Sequence, residues 1–531
     1  MDPETPYSVD RRFFLRGSLA ALALPATGWA ASAKVALEEL TLVDIAAAFA
    51  NGRLTSQGLT KLYLNRIEAM NHAGPTLAAV IETNPRALAI AAELDRERAV
   101  QGPRGPLHGV PILIKDNIET ADPMMTTAGS LALEGWYAPH DAPLVAKLRA
   151  AGAVILGKSN LSEWANFRST HAASGWSARG GQARNPYALD RSPSGSSSGS
   201  AIAVSANLCA LAVGSETDGS IVSPASVNGI VGLKPTVGLV SRSGIVPLSH
   251  SQDTAGPLTR TVRDAAVMLG IMAGLDANDG ASVAVGDKFQ HDYVRYLDSQ
   301  GLKGARLGVA RKFFADNAPL NAFLDDCIAK LEAAGATIID PADLPLHDTT
   351  SAAETEVLLY EFKADLNKYL ARLPSSMPAR SLADLIRFNE AQAARELPYF
   401  GQELFRQAEA KGGLNEAAYA RARATCLAAS RDGGIDAVLN EHHLDAMVTL
   451  TNGPACFIDL VNGDADTGGC SSPAAVAGYP HITVPAGLHR GLPVGLSFFG
   501  TAFSEPTLIR LASGFEHAAN ARAQPRFLPS V

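Results

Sequence analysis

The chain has 531 residues, 47% of them apolar and 18% charged, with a formal net charge of −8. That is longer than an ordinary domain and has the composition of a globular protein with a substantial core, which excludes a disordered or low-complexity chain. An acidic chain without a Lys/Arg cluster grips a phosphate backbone poorly, so nucleic acid is not an expected partner.

At the N-terminus, Asp10-Arg11-Arg12-Phe13-Phe14-Leu15-Arg16 is a twin-arginine pattern, followed by a mildly apolar stretch from Gly17 to Ala31 and a small-x-small site at Ala31-Ser32-Ala33. The stretch is well short of the roughly 20 residues that span a bilayer. The pattern therefore reads as an export signal over residues 1–33. It predicts a soluble product beginning near Lys34, in a bacterial periplasm or outside the cell. No later run is apolar enough for a membrane span. The five cysteines (Cys209, Cys327, Cys426, Cys456 and Cys470) are scattered without a C-x-x-C pair, so no structural zinc is indicated. Cys456 and Cys470 could bridge in an oxidising compartment.

From Leu40 to Val100 the pattern is helical. After Thr55-Ser56, a plausible N-cap, residues Leu59, Leu62, Tyr63, Ile67 and Met70 fall on one helical face. Around Val110 the period changes. V-P-I-L-I-K is a short β-rich run between Gly109 and Asp116-Asn117, consistent with a buried strand ending at Lys115. Val154-Ile155-Leu156 reads as another, entered from a helix ending near Ala150. Serine and glycine dominate Ser192 to Ser200, a tight-turn composition that leads into the apolar helix A-I-A-V-S-A-N-L-C-A-L-A. Strand-like stretches recur at 210–213, 230–233, 482–484 and 496–499. From about Asp276 to Leu444 the texture is Ala-, Leu-, Glu- and Arg-rich. It predicts a helical layer or insertion on an α/β sheet.

Three segments carry chemistry: Lys115 at the end of its strand, Ser196 to Ser198 in the serine-rich turn, and Thr217-Asp218-Gly219-Ser220-Ile221. Gly195-Ser196-Ser197-Ser198-Gly199 also matches G-x-S-x-G, which would make Ser197 the nucleophile of a hydrolase elbow. That reading needs a downstream acid and histidine, and His250, His442, His443, His481 and His489 are candidates only by default. Asn440 to Asp445 holds adjacent histidines, which rarely reach one ion from a helix. The Lys–Ser–Ser set needs no histidine. Serine attacks an amide only after losing its proton, and lysine can take that proton only when neutral. Burial at the end of an apolar strand lowers the lysine pKa from its usual value near 10.4. Asp116 would oppose that shift only if it faced the same way, and neighbouring strand side chains point to opposite faces.

G-P-L-H-G-V-P-I-L-I-K-D-N-I, S-G-S-S-S-G-S-A, T-D-G-S-I, P-A-S-V-N-G-I-V-G-L-K-P-T-V-G-L-V-S-R-S-G and S-Q-D-T-A-G-P resemble the amidase signature family. The likeness resumes at Ala477–Gly487 and Gly491–Gly500, leaving only about 276–444 unmatched. The resemblance implies a single α/β/α sandwich over 34–531, with a central mixed, twisted sheet covered by helices on both faces. It implies Ser220 as nucleophile, Ser196 as the bridging serine after a cis peptide, and Lys115 as base. Backbone N–H groups of Thr217, Asp218, Gly219 and Ser220 would form the oxyanion hole. Trp164 and Ser197 are expected at the substrate. No cofactor, no metal and a monomer are expected. Three positions depart from the family: Ser198 and Asp218 replace glycines, and Val222 replaces an arginine. This variant is most similar to bacterial peptide amidases, which remove C-terminal carboxamides. The alternatives are a broader acylamide or fatty-amide hydrolase and a glutaminase-type amidotransferase subunit.

Overall fold

The computed structural model describes residues 36–531 apart from 315, 346 and 347, so the leader pattern at 1–33 lies outside the described residues. Short apolar runs bounded by turns build the framework. The strands in chain order are β1 (Val80–Thr83), β2 (Pro111–Lys115), β3 (Val154–Ser159), β4 (Trp176–Ser177), β5 (Gly181–Gln182), β6 (Leu211–Glu216), β7 (Val231–Lys234), β8 (Thr254–Thr259), β9 (Arg306–Val309), β10 (Thr337–Ile339), β11 (Ala446–Leu450), β12 (His481–His489) and β13 (Leu492–Phe499). β4 and β5 form a separate small hairpin. The other eleven strands make one sheet in the order β1-β3-β2-β6-β8-β7-β12-β13-β11-β9-β10.

The sheet is mixed. β2 runs parallel to both β3 and β6, with Ile112 opposite Ile155 and Leu211. β8 is antiparallel to both β6 and β7. Every residue of β2, β3, β6, β8, β11 and β13 is buried, which requires cover on both faces and explains why a strand such as β2 reads as a nearly continuous apolar run. The helix Ser198–Ser205 packs on β2, β3, β6 and β8, and the helix Glu505–Ala519 packs on β12 and β13. The expected α/β architecture, a large mixed sheet flanked by helices, is what the chain forms.

Local signals set several boundaries. Thr55 caps the helix Ser56–Ile67 by accepting from Gly58 N, and Leu59, Tyr63 and Ile67 are buried on its inner face. The helix after the serine-rich turn is shorter than its apolar run suggests. It stops at Ser205, Asn207 takes φ +59°, and β6 begins at Leu211.

Two expectations need correction. The stretch 40–100 is not all helical, because Val80–Thr83 forms the edge strand β1. The buried Asn71 side chain pins it, accepting from Ala79 N (2.5 Å) and Val80 N (2.8 Å) and donating to Val80 O (3.0 Å). The stretch 276–444 is not only a helical layer, since it supplies β9 and β10 at the opposite edge. Its helices Asp348–Ala371, Leu382–Ala391 and Glu403–Glu409 build a second core, in which Phe362, Leu366, Leu385 and Phe405 pack with Trp136 and Trp164.

All five cysteines are free thiols, so Cys456 and Cys470 do not pair. Among the described residues, no helix is long and apolar enough to cross a membrane.

Candidate active site

Lys115 closes β2 beside β6, and the parallel register that sets Ile114 opposite Val213 carries its side chain to Ser215. Lys115 Nζ lies 2.8 Å from Ser196 Oγ, 2.9 Å from Ser215 Oγ and 3.1 Å from Ser215 O. Asn117 Nδ2 donates to the same Ser215 hydroxyl at 2.9 Å. The ammonium is wholly buried. Burial pushes its pKa down to about 7, although the Glu216 and Asp253 charges pull the other way. A neutral amine has two N–H groups and one lone pair. Ser215 offers two acceptors and Ser196 a hydroxyl proton, so the three neighbours match the neutral form.

Asp116 faces away, as strand alternation requires. Its carboxylate accepts from the Thr127 hydroxyl and from Gly129 N (3.2 Å), and Arg179 Nη1 lies 3.5 Å from it.

The Gly195–Ser196 peptide is cis. The next residue, Ser197, does not line a cavity. It is fully buried, its hydroxyl donates to Ser215 O (3.0 Å), and its N–H donates to Ser220 O (3.1 Å). Ser197 thus ties the serine-rich turn to β6 and to the loop carrying Ser220. Ser198 donates its hydroxyl to Ser194 O within the same turn (2.5 Å).

The loop Thr217–Ile221 is held at both ends. Glu216 Oε2 accepts from Ile221 N (2.7 Å) and Val222 N (3.0 Å), drawing the chain back on itself after Ser220. Thr217 Oγ1 donates to Asp253 Oδ1 (2.6 Å), and Asp218 Oδ2 accepts from Ser472 Oγ (2.6 Å). Gly219 takes φ +77°, and a Cβ there would stand 2.9 Å from Ser471 Oγ, so glycine alone fits without adjustment. No acceptor among the described residues takes the N–H of Asp218, Gly219 or Ser220. Three consecutive donors are therefore available beside Ser220, which keeps 7% of its surface exposed while Ser196 keeps none.

A cavity of about 370 Å³ adjoins this loop, lined among others by Asn166, Ser194, Gly195, Asp218, Gly219 and Asn452. Asn452 Nδ2 donates to Ser223 Oγ (3.1 Å), and Ser223 shares a hydrogen bond with Ser194 (2.9 Å).

Trp164 lies outside this wall. It is 2% exposed and meets Phe405 edge-on at 6.1 Å in the second core. Trp164, Ala165 and Asn166 have φ of +52°, +55° and +69°, a left-handed turn that buries the indole and delivers Asn166 to the cavity.

No histidine lines the cavity. His481 is buried in the sheet against Ser497 Oγ (2.6 Å), and burial pushes its pKa down to about 3. His250 lies between Glu361 and Asp365, His442 ends the helix Asp436–His442 with His443 as its left-handed cap, and His489 packs against Phe323. The residues that sequence reasoning missed are Asn117, Ser215, Glu216, Asp253, Asn166 and Asn452. Only Ser215 left a trace, since strand alternation puts it on one face of β6 with Val213.

A family model described as Amidase matches residues 58–509. A probable amidase of Arabidopsis thaliana is 46% identical over 509 residues, spanning 94% of this chain and 93% of the relative. An amidase-named protein of Schizosaccharomyces pombe is 38% identical over 526 residues, spanning 94% of this chain and 88% of the relative. The crystal structure of native peptide amidase from Stenotrophomonas maltophilia superposes with a TM-score of 0.88 at 52% identity, covering 92% of this chain and 99% of that one. The expected bacterial, periplasmic or secreted location is corrected by these relatives, which at 46% and 38% identity come from a plant and a fungus. By the span of the family match and these identities, the chain belongs to the amidase family and is a hydrolase of carbon–nitrogen amide bonds.

Proposed function

We propose that this amidase hydrolyses the C-terminal carboxamides of peptides through an acyl-enzyme on Ser220, with Ser196 as relay and Lys115 as base. The observation that carries the reading is Lys115 itself, a buried amine with a pKa near 7 that lies 2.8 Å from Ser196 Oγ. The substrate class is supported by the 52% identity to the Stenotrophomonas maltophilia peptide amidase and by a cavity rich in amide, hydroxyl and carboxylate groups.

The neutral amine takes the Ser196 proton as Ser196 takes the Ser220 proton, and Ser220 Oγ bonds to the substrate carbonyl carbon. The carbonyl oxygen becomes an oxyanion, stabilised by backbone N–H groups of Thr217, Asp218, Gly219 and Ser220. On collapse the carbon–nitrogen bond breaks. The proton on Lys115 returns through Ser196 to the leaving nitrogen, which departs as ammonia. Water then attacks the ester by the same relay, giving the peptide acid and restoring Ser220.

A panel of amidated dipeptides, simple aliphatic amides and long-chain fatty amides, with Ser220→Ala as control, tests both parts. Peptide amides should turn over fastest and Ser220→Ala should turn over none. Turnover confined to fatty amides would remove the peptide reading, and a fluorophosphonate adduct on Ser197 in place of Ser220 would remove the triad.

A further inference from the structure

The loop beside Ser220 is braced from the helix-rich region between 276 and 444. Glu354, Glu361 and Asp365 are spaced by seven and four along the helix Asp348–Ala371, so they share one face. That face grips the segment Leu248–Asp253. Glu361 Oε2 accepts from Ser249 Oγ (2.5 Å) and Ser251 N (3.1 Å), and Asp365 Oδ2 accepts from His250 N (2.9 Å). Glu354 Oε1 accepts from Gln252 Nε2 (2.9 Å), whose remaining reach is to Thr217 O (3.3 Å).

The same segment holds the oxyanion loop from its other side. Asp253 Oδ2 accepts from Leu248 N (2.8 Å) and Ser249 N (2.9 Å), and its Oδ1 accepts the Thr217 hydroxyl (2.6 Å). Thr217 is thus fixed at its hydroxyl by Asp253 and at its carbonyl by Gln252. The Thr217 carbonyl belongs to the peptide whose N–H is that of Asp218, so orienting one orients the other. Gln252 and Glu354 are buried, so water does not compete for the bond between them. Glu354 also faces Asp218, and burial together with that charge holds its carboxyl well above the usual range.

We propose that Gln252, Asp253 and Glu354 form a strut by which the helix Asp348–Ala371 positions the oxyanion loop, so that this helix governs turnover more than substrate binding. These are positioning residues, acting through Thr217 and the Asp218 N–H. The inference rests on the reading of Ser220 as nucleophile and of this loop as its oxyanion site.

The test compares a peptide aldehyde, which adds to Ser220 and places an oxyanion on the loop, with the peptide acid product as a ground-state ligand. Gln252→Ala, Thr217→Val and Glu354→Ala should each lower kcat by about tenfold to a hundredfold and weaken the aldehyde by a similar factor. KM and product affinity should stay within about twofold. Glu354→Gln keeps an acceptor for Gln252 and should retain kcat within about threefold. Fluorophosphonate titration of active sites normalises for any misfolded fraction. Unchanged kcat, or a rise in KM with the aldehyde affinity intact, would overturn the strut and leave the helix as a substrate cover. If Ser220→Ala keeps the aldehyde affinity of the parent enzyme, the nucleophile assignment falls first. The strut falls with it.

Discussion

Lys115 Nζ and Ser196 Oγ stand 2.8 Å apart with neither side chain exposed to solvent. No carboxylate pairs directly with the amine, because Asp116 is turned to the other face and the Glu216 and Asp253 charges act without a hydrogen bond to it. Desolvation therefore prevails over attraction, and the amine gives up its proton near pH 7.

The rate should follow that proton. In the mechanism proposed above, kcat/KM should rise with pH along a single acid limb centred near 7, as Lys115 deprotonates. The sign for stability is the same. Between about 7 and the unfolded value of 10.5 the unfolded chain binds the extra proton, so stability gains as pH rises through that window. Lys115→Met should lower kcat by about 10⁴-fold without lowering the melting temperature, since an apolar chain replaces a buried amine. A pH-rate profile and thermal melts of both proteins check this. A profile flat to pH 4 would remove Lys115 from the base role.

Ser215 should tune that limb. Its hydroxyl lies 2.9 Å from Lys115 Nζ and also accepts from Asn117. Ser215→Ala removes a polar neighbour that stabilises the ammonium, so the acid limb should move to lower pH while kcat on the plateau changes by less than about tenfold. An unmoved limb would mean that Ser215 does not contact the titrating group during turnover.

Gly219→Ala should act on geometry alone. The backbone there holds φ +77°, and the added methyl meets Ser471 Oγ at 2.9 Å. Relaxing either shifts the N–H groups on each side, so kcat should fall about a hundredfold, with a stability cost of about 1–2 kcal/mol. Ser471→Gly in the same chain removes the steric part and should recover a fraction of the rate. Steady-state kinetics of the single and double variants read this directly.

How far the sequence was legible depended on range. The end of β2 at Lys115 was readable because five consecutive buried residues leave a continuous apolar run. Ser196 and Ser220 stood out by motif. Their supports did not, because Gln252 and Glu354 lie 102 positions apart and only the fold brings them together. β8 was hidden by its own composition. T-A-G-P-L-T carries glycine and proline inside a central strand, where β7 passes so close that a Cβ at Gly256 would strike Leu233 O. β9 and the edge strand β10 disappeared within helix-rich sequence because strands of four and three residues show too little periodicity.

His250 should make the helical layer sensitive to pH. Its Nδ1 lies 2.8 Å from Asp365 Oδ2 and its Nε2 3.3 Å from Glu361 Oε1, with Tyr419 OH beside Nε2 and Arg242 bonded to its carbonyl. Burial and the Arg242 charge disfavour the imidazolium, but the hydrogen bond and charge of Asp365, with the Glu361 charge, outweigh them and raise its pKa above 6.5. A raised value means that the stabilisation is fully present below the unfolded pKa and is lost as pH rises through the folded one. The melting-temperature difference between the parent and His250→Gln should therefore be largest below pH 6.5 and should shrink at higher pH. A difference that does not vary with pH would show that His250 acts by packing alone.

Trp164 and Asn166 should separate core from cavity within three residues. Trp164 packs on Phe405 in the second core, and the left-handed turn ends with Asn166 on the cavity wall. Trp164→Ala should cost about 3–5 kcal/mol of stability by leaving a void among aromatic side chains, and Trp164→Phe considerably less. Asn166→Ala should cost about 1 kcal/mol, because alanine tolerates the left-handed φ of +69° less well than asparagine, while no packing is lost. Its effect should be in KM for peptide amides, since a wall residue touches substrate in ground and transition states alike. Chemical denaturation and steady-state kinetics of the three variants decide the matter. A KM change for Trp164→Phe at unchanged stability would put the indole back in the substrate wall and make the turn's burial of it incidental.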